Sequence, residues 1–163
     1  SILDYGCGSA ILALVALHYG CKKADGTDID SDSLYAARRN AMKNQMSDRL
    51  NLYMAYDVDD DSTAIKNNAL KGAGMGTAES FPDVSHLEGK TYPLVVANIL
   101  APILIALASD MFAKTQAGGK VALSGVIEKQ ALSVVDAYAA AGYSDVKVEE
   151  QQDEWVLITG VKM

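Results

Sequence analysis

Apolar runs of strand length alternate along the chain with stretches in which apolar residues recur at helical spacing. The run 2–5 predicts a short buried strand, and the apolar stretch 9–19, ended by Gly20, predicts a helix. Residues 24–29 are a second strand. A helix capped by Asp30 or Ser31 follows to about residue 47, with Leu34, Ala37, Ala41 and Met42 on one face. Residues 50–56 alternate as a third strand. The rhythm then breaks. An acidic run at Asp57 and Asp59 to Asp61, glycines at 72, 74 and 76, and Pro82 mark 57–91 as a long surface insertion, with a short helix expected at 62–70.

Regularity returns with the fully apolar strand 94–97. Pro102 opens a helix to about residue 114, and Gly118-Gly119 turns the chain into a strand at 120–124. Ile127, Ala131, Val134, Val135 and Tyr138 stand at helical spacing over 127–141, and Gly142 ends that helix. Strands 146–150 and 155–161 are too close together for a crossover helix, so they form an antiparallel hairpin. Five strands alternating with helices, then a hairpin, predict an α/β domain. Its Rossmann-like sheet is mostly parallel and closes on antiparallel strands.

The 163 residues suit one domain, 1–163, with a sizeable core. Half of them are hydrophobic and 21% are charged, which places the chain among folded globular proteins. A net charge of −7 argues against a surface that tracks nucleic acid, which needs clustered Lys and Arg. It suits a basic partner. The apolar run 10–19 falls short of the roughly 20 residues of a membrane span and lacks the flanks of a signal peptide. Cys7 and Cys21 form no CxxC pair, and only His18 and His86 could join them. No metal site is expected, and both thiols read as free in a reducing compartment. The chain opens without Met inside its first strand, so it reads as a trimmed domain.

The chemistry concentrates at two strand ends. After the first strand comes the turn Gly6-Cys7-Gly8-Ser9, and Asp28-Ile29-Asp30 follows about twenty residues later. Such a glycine turn lets backbone approach a ligand closely, and a carboxylate ending the second strand can accept both hydroxyls of a ribose. This is how an α/β fold builds a nucleoside-binding crevice. Asn98 ends the fourth strand, at the carboxyl edge where ligands bind in open α/β sheets.

The third glycine of a dinucleotide fingerprint falls instead on Ile11, and the sheet ends in a hairpin. That combination resembles the class I methyltransferases, which bind S-adenosylmethionine. Within them, Asp4-Tyr5-Gly6-Cys7-Gly8-Ser9, Gly26-Thr27-Asp28-Ile29-Asp30 and Val95-Val96-Ala97-Asn98-Ile99-Leu100-Ala101 resemble the PrmA family, as do Leu123-Ser124-Gly125-Val126 and Glu154-Trp155. The resemblance covers nearly the whole chain outside 57–91. It implies methyl transfer from S-adenosylmethionine to lysine side-chain and/or amino-terminal nitrogens of ribosomal protein L-eleven. The alternative readings are a lysine methyltransferase of another protein, such as an electron-transfer flavoprotein beta subunit, or a non-catalytic methyltransferase-like binding module. A cytoplasmic location is implied, or a plastid or mitochondrion if a transit peptide lies upstream. The family's amino-terminal recognition domain has no counterpart in this sequence, so the chain is expected to bind cofactor and to methylate poorly or not at all alone. Ala10 stands where the family usually has glycine.

The resemblance also implies site residues. Asp28 would accept the ribose hydroxyls, with Ile29 beside it, while Asp30 or Ser31 caps the helix. Gly6 and Gly8 would allow backbone contact with the methionine moiety. Asp4 would accept from the ammonium group, directly or through water, or hold the turn. Cys7 lines the turn and reads as packing, and Asp57 would accept from the adenine amino group or lie in a solvated loop. Asn98, with the carbonyl of Ile99 or Leu100, would accept hydrogens of the attacking amine and aim its lone pair. Leu100 and Pro102 would keep the pocket dry. Trp155 shapes the substrate side or belongs to the core. No general base is evident.

Overall fold

The computed structural model describes residues 1–55 and 81–163. The expected helix at 62–70 and Asp57 lie outside the described residues. Strands β1 (Ile2–Tyr5), β2 (Ala24–Asp28) and β3 (Leu50–Met54) are joined by helices α1 (Ile11–His18) and α2 (Ser31–Lys43). Strands β4 (Tyr92–Asn98) and β5 (Thr115–Ile127) flank α3 (Ala101–Lys114). Helix α4 (Glu128–Ala140) then leads to β6 (Ser144–Gln152) and β7 (Trp155–Val161).

The strands form a seven-stranded sheet in the order β3-β2-β1-β4-β5-β7-β6. Its first five are parallel, and β7 lies antiparallel between β5 and β6. The closing hairpin is therefore present, with β7 inserted beside β5. The order runs outward in both directions from the β1–β4 pair. In an open α/β sheet that reversal leaves a crevice at the carboxyl ends of those two strands.

Both faces of the sheet are covered. Leu14 and Leu17 of α1 and Leu34 and Ala37 of α2 bury against Ile2, Ala24, Leu50 and Leu52. On the opposite face Leu104 and Met111 of α3 and Val134 and Tyr138 of α4 meet Leu3, Val95, Val121 and Ile158. The neighbours Ile2 and Leu3 serve opposite faces, as the two-residue period of a strand demands. Among the described residues, no helix is long and apolar enough to cross a membrane.

Element boundaries differ from the sequence reading where backbone chemistry intervenes. Helix α2 stops at Lys43 because Gln45 takes a left-handed conformation, φ 58°, just past its end. Strand β4 starts at Tyr92, ahead of Pro93, and its register with β5 shifts there, as a proline without N–H requires. The described part of the region read as a surface insertion packs on the sheet. Phe81 and Leu87 are buried, Pro82 O accepts the Met54 N–H at 2.8 Å, and a 3₁₀ turn spans Val84–Leu87.

Candidate active site

Two strand ends at the reversal of sheet order carry the site. The turn after β1 winds tightly: Gly6 has φ 66°, Gly8 φ 53° and Ala10 φ 63°. Ala10 N–H donates to Cys7 O at 2.7 Å, and Cys7 N–H donates to Thr27 O at 2.8 Å, lashing the turn to β2. Asn40 of α2 reaches Ser9 O at 3.0 Å. Ala10 is wholly buried in the left-handed region, where glycine is at ease and alanine is strained.

The two glycines divide the work. A Cβ on Gly6 would stand 2.6 Å from Ile99 Cγ2, so Gly6 admits a neighbouring side chain. A Cβ on Gly8 would meet nothing within 4 Å, so Gly8 is the one whose backbone borders open space.

Helix α1 begins on apolar residues and has no capping side chain of its own at Ala10. Asp4, at the end of β1, supplies the cap: its Oδ2 accepts the Ala13 N–H at 3.0 Å. Asp4 thus ties the start of α1 back to the end of β1. Its burial, opposed by that hydrogen bond and reinforced by the nearby charge of Asp28, lifts its pKa from 3.8 to about 6. Among the described residues, the salt bridges give Asp4 and Asp28 no cationic partner. Two neighbouring carboxylates without a counter-charge make the turn electronegative. Cys7 packs inward, its Sγ 3.1 Å from where a Cβ on Gly26 would stand. Burial first, then the charges of Asp4 and Asp28, push its thiol far up, which leaves it an inert packing group.

Asp28 closes β2 half-buried. Its Oδ2 accepts Gly8 N–H at 2.8 Å and its Oδ1 accepts Asp30 N–H at 3.0 Å. A carboxylate offers about four acceptor positions, so both oxygens retain capacity. Capping of α2 falls to Asp30, which accepts Asp32 N–H at 3.1 Å and Ser33 Oγ–H at 3.0 Å. Ile29 is exposed between them.

Across the crevice, Asn98 ends β4 in an exposed position, followed by half-buried Ile99 and by Leu100, 65% exposed. Leu100 O accepts the N–H groups of Ile103 at 3.0 Å and Leu104 at 3.1 Å, which commits it to the start of α3. Ile99 O has no such duty among the described backbone bonds. It and Asn98 Oδ1 converge on Gly125 at the end of β5, lying 2.7 and 3.0 Å from the place of its absent Cβ. Among the described backbone bonds, Leu100 O is thus occupied and Ile99 O is not. Asn98, Ile99, Leu100, Ser124, Gly125 and Trp155 line an open pocket of about 530 Å³. Trp155 is 50% exposed there, so it belongs to the pocket wall and not to the core.

Some neighbours of the site escaped sequence reasoning. The Tyr5 hydroxyl donates to Asp110 of α3, a contact across 105 positions with no local signature. Gly125 stood out only as part of a family motif. Asn98 and Ser124 face each other in the β4–β5 register, which puts Gly125 one step beyond, under the amide. Among the described residues, no three His, Cys, Asp or Glu side chains are grouped to hold a metal ion.

The comparisons converge. The family described as "Ribosomal protein L11 methyltransferase (PrmA)" matches residues 1–163. The ribosomal protein L11 methyltransferase of Shewanella amazonensis is 38% identical over 161 residues, 99% of this chain and 44% of that protein. The one from Salmonella arizonae is 40% identical over 162 residues, 99% of this chain and 45% of its own length. The chain thus spans less than half of the curated relatives it matches. A crystal structure of ribosomal protein L11 methylase from Lactobacillus delbrueckii subsp. bulgaricus superposes with TM-score 0.70 at 26% identity, covering 99% of this chain and 70% of that one. An RNA methyltransferase from Salinibacter ruber, solved with S-adenosyl-L-homocysteine, shares the fold at 13% identity and TM-score 0.61, over 98% of this chain and 78% of its own. With the family matching residues 1–163 and curated relatives of 38% and 40% identity aligned over 99% of it, the chain belongs to the ribosomal protein L11 methyltransferase (PrmA) family.

Proposed function

We propose that this chain carries out methyl transfer from S-adenosylmethionine to amine nitrogens of ribosomal protein L11, on lysine side chains and/or the amino terminus. The observation that carries the reading is the convergence of Asn98 Oδ1 and Ile99 O beside a pocket at the carboxyl edge, next to the glycine turn. An attacking amine needs alignment more than a strong base. Two fixed acceptors can take its hydrogens and aim its lone pair into the crevice.

The residues on the β1 and β2 side fit the methyl donor. Asp28 keeps acceptor capacity for a ribose on both oxygens, and Gly8 borders open space. The paired charge of Asp4 and Asp28 suits a cationic ligand. When bound, S-adenosylmethionine supplies a methyl group on a positively charged sulfur. Everything else falls to the chain. A lysine ammonium, of ordinary pKa about 10.4, must lose its proton before it attacks. Leu100 and Trp155 give the open pocket an apolar wall, and an amine lying against it sheds part of its water, which disfavours its charged form and eases that loss to solvent. Asn98 and Ile99 then hold the neutral nitrogen. This activity belongs in the compartment where ribosomes carry L11, the cytoplasm.

Calorimetry of this chain with S-adenosylhomocysteine tests the donor site. Saturable heat at micromolar concentration is expected, and no heat at high micromolar concentration refutes it. Mass spectrometry of L11 incubated with the protein and S-adenosylmethionine tests the acceptor. Methylation of other basic proteins with L11 untouched would point to a different protein substrate. Firm cofactor binding without any transfer in the full-length protein would mark a non-catalytic module.

A further inference from the structure

We infer that Gly125 is a positioning residue: its missing side chain leaves the seat in which Asn98 and Ile99 present their acceptor oxygens. The inference rests on the function proposed above. Gly125 has φ 77°, and a Cβ there would stand 2.7 Å from Ile99 O, 3.0 Å from Asn98 Oδ1 and 3.0 Å from Ile99 N. Two of those atoms are backbone, so no side-chain rotation relieves the overlap. The Asn98-Ile99 peptide itself would have to move.

It has little room to do so. Ile99 Cγ2 already lies 2.6 Å from where a Cβ on Gly6 would stand. The segment is held between a glycine of the β1 turn and a glycine at the end of β5. Behind it, Leu100 O is tied into the first turn of α3. Asp28 and Gly8 stand on the β2 side of the β1–β4 pair and touch none of this. Displacing the seat therefore disturbs the acceptor oxygens first, while the Asp28–Gly8 hydrogen bond lies outside its contacts. A misplacement of about 1 Å is enough to cost ~100-fold in rate.

Gly118 provides the control. It lies on the same strand with φ 74°, and a Cβ there would meet nothing within 4 Å. Gly118→Ala imposes the same backbone strain without touching Asn98. The parent protein, Gly118→Ala and Gly125→Ala are compared by steady-state methylation of ribosomal protein L11, calorimetry with S-adenosylhomocysteine, and the Asn98 side-chain amide resonances. Gly125→Ala is expected to lower kcat by ~100-fold and to shift those resonances, while its affinity for S-adenosylhomocysteine stays within about threefold of the parent's, because Asp28 keeps its bond to Gly8. Gly118→Ala is expected to leave all three readouts in place. Should Gly125→Ala not fold, Gly125→Asn replaces it, since asparagine tolerates the left-handed region. Equal turnover in the two alanine variants, or unmoved Asn98 resonances in a folded Gly125 variant, overturns the inference. With all three made as full-length proteins, a parent that transfers no methyl group defeats the underlying function, a separate outcome.

Discussion

Asp28 Oδ2 accepts the backbone N–H of Gly8 at 2.8 Å, so the end of the second strand grips the turn that follows the first. The same carboxylate takes the Asp30 N–H on its other oxygen. One side chain thus shapes the glycine turn and presents acceptors at its mouth. Under the proposed function, a cofactor held by this carboxylate is coupled to the geometry of the turn.

Replacing Asp28 by Asn separates these roles. An amide has one acceptor oxygen where the carboxylate uses two, so one backbone N–H loses its partner. The charge that strengthens bonds to a ribose also goes. Loss of one charge-assisted bond, about 2 kcal/mol, corresponds to roughly 30-fold weaker binding of S-adenosylhomocysteine. Calorimetry checks this, and an affinity within twofold of the parent's would remove Asp28 from the site.

Asp4 makes stability depend on pH in an unusual direction. Its folded pKa is raised from 3.8 to about 6, so the folded chain holds its proton more tightly than the unfolded one. The stability this contributes is fully present below about pH 3.8 and is lost as pH rises through about 6. The loss is on the order of 3 kcal/mol. Asp4→Asn keeps an acceptor for the Ala13 N–H and removes the titration. Thermal melts of both proteins between pH 4 and pH 7.5 should therefore diverge as pH rises, with the variant the more stable at pH 7.5. Parallel profiles would contradict the assignment.

Ala10 sits wholly buried at φ 63°, the conformation for which the family's glycine is suited. Ala10→Gly relieves a strain of roughly 1–2 kcal/mol but gives up backbone restriction and a buried methyl group, so its net effect stays within about 1 kcal/mol. Ala10→Val puts a branched side chain into the same conformation in a filled space, at a cost above about 3 kcal/mol. Urea denaturation midpoints distinguish the two. A parental midpoint for the Val variant would show that the turn is not held as described.

Much of this architecture was legible in the residues, because it is written in local signals. The alternation of apolar runs and helical spacing yields the strand and helix sequence, and the short link before Trp155 yields the hairpin. Asp30 announces its capping role by standing just ahead of α2. The rest depends on which atoms meet across the fold. The capping of α1 by Asp4 requires Ala13 N–H to face β1. The choice of Ile99 over Leu100 turns on which carbonyl α3 consumes. Trp155 reaches the pocket through its pairing with Ile127, where β5 ends, and a strand pattern alone does not reveal that register. The packing of Phe81 and Leu87 was hidden because the turn residues around them read as a surface loop.

The central claim is that Asn98 aligns an amine of ribosomal protein L11 for methyl transfer. Asn98 is exposed, so Asn98→Ala leaves the fold intact. Single-turnover methylation of L11, followed by mass spectrometry with cofactor affinity measured in parallel, tests the claim most directly. The account predicts a rate lower by roughly 100- to 1,000-fold with affinity for S-adenosylhomocysteine within about twofold. Equal rates in the parent and the variant would contradict it.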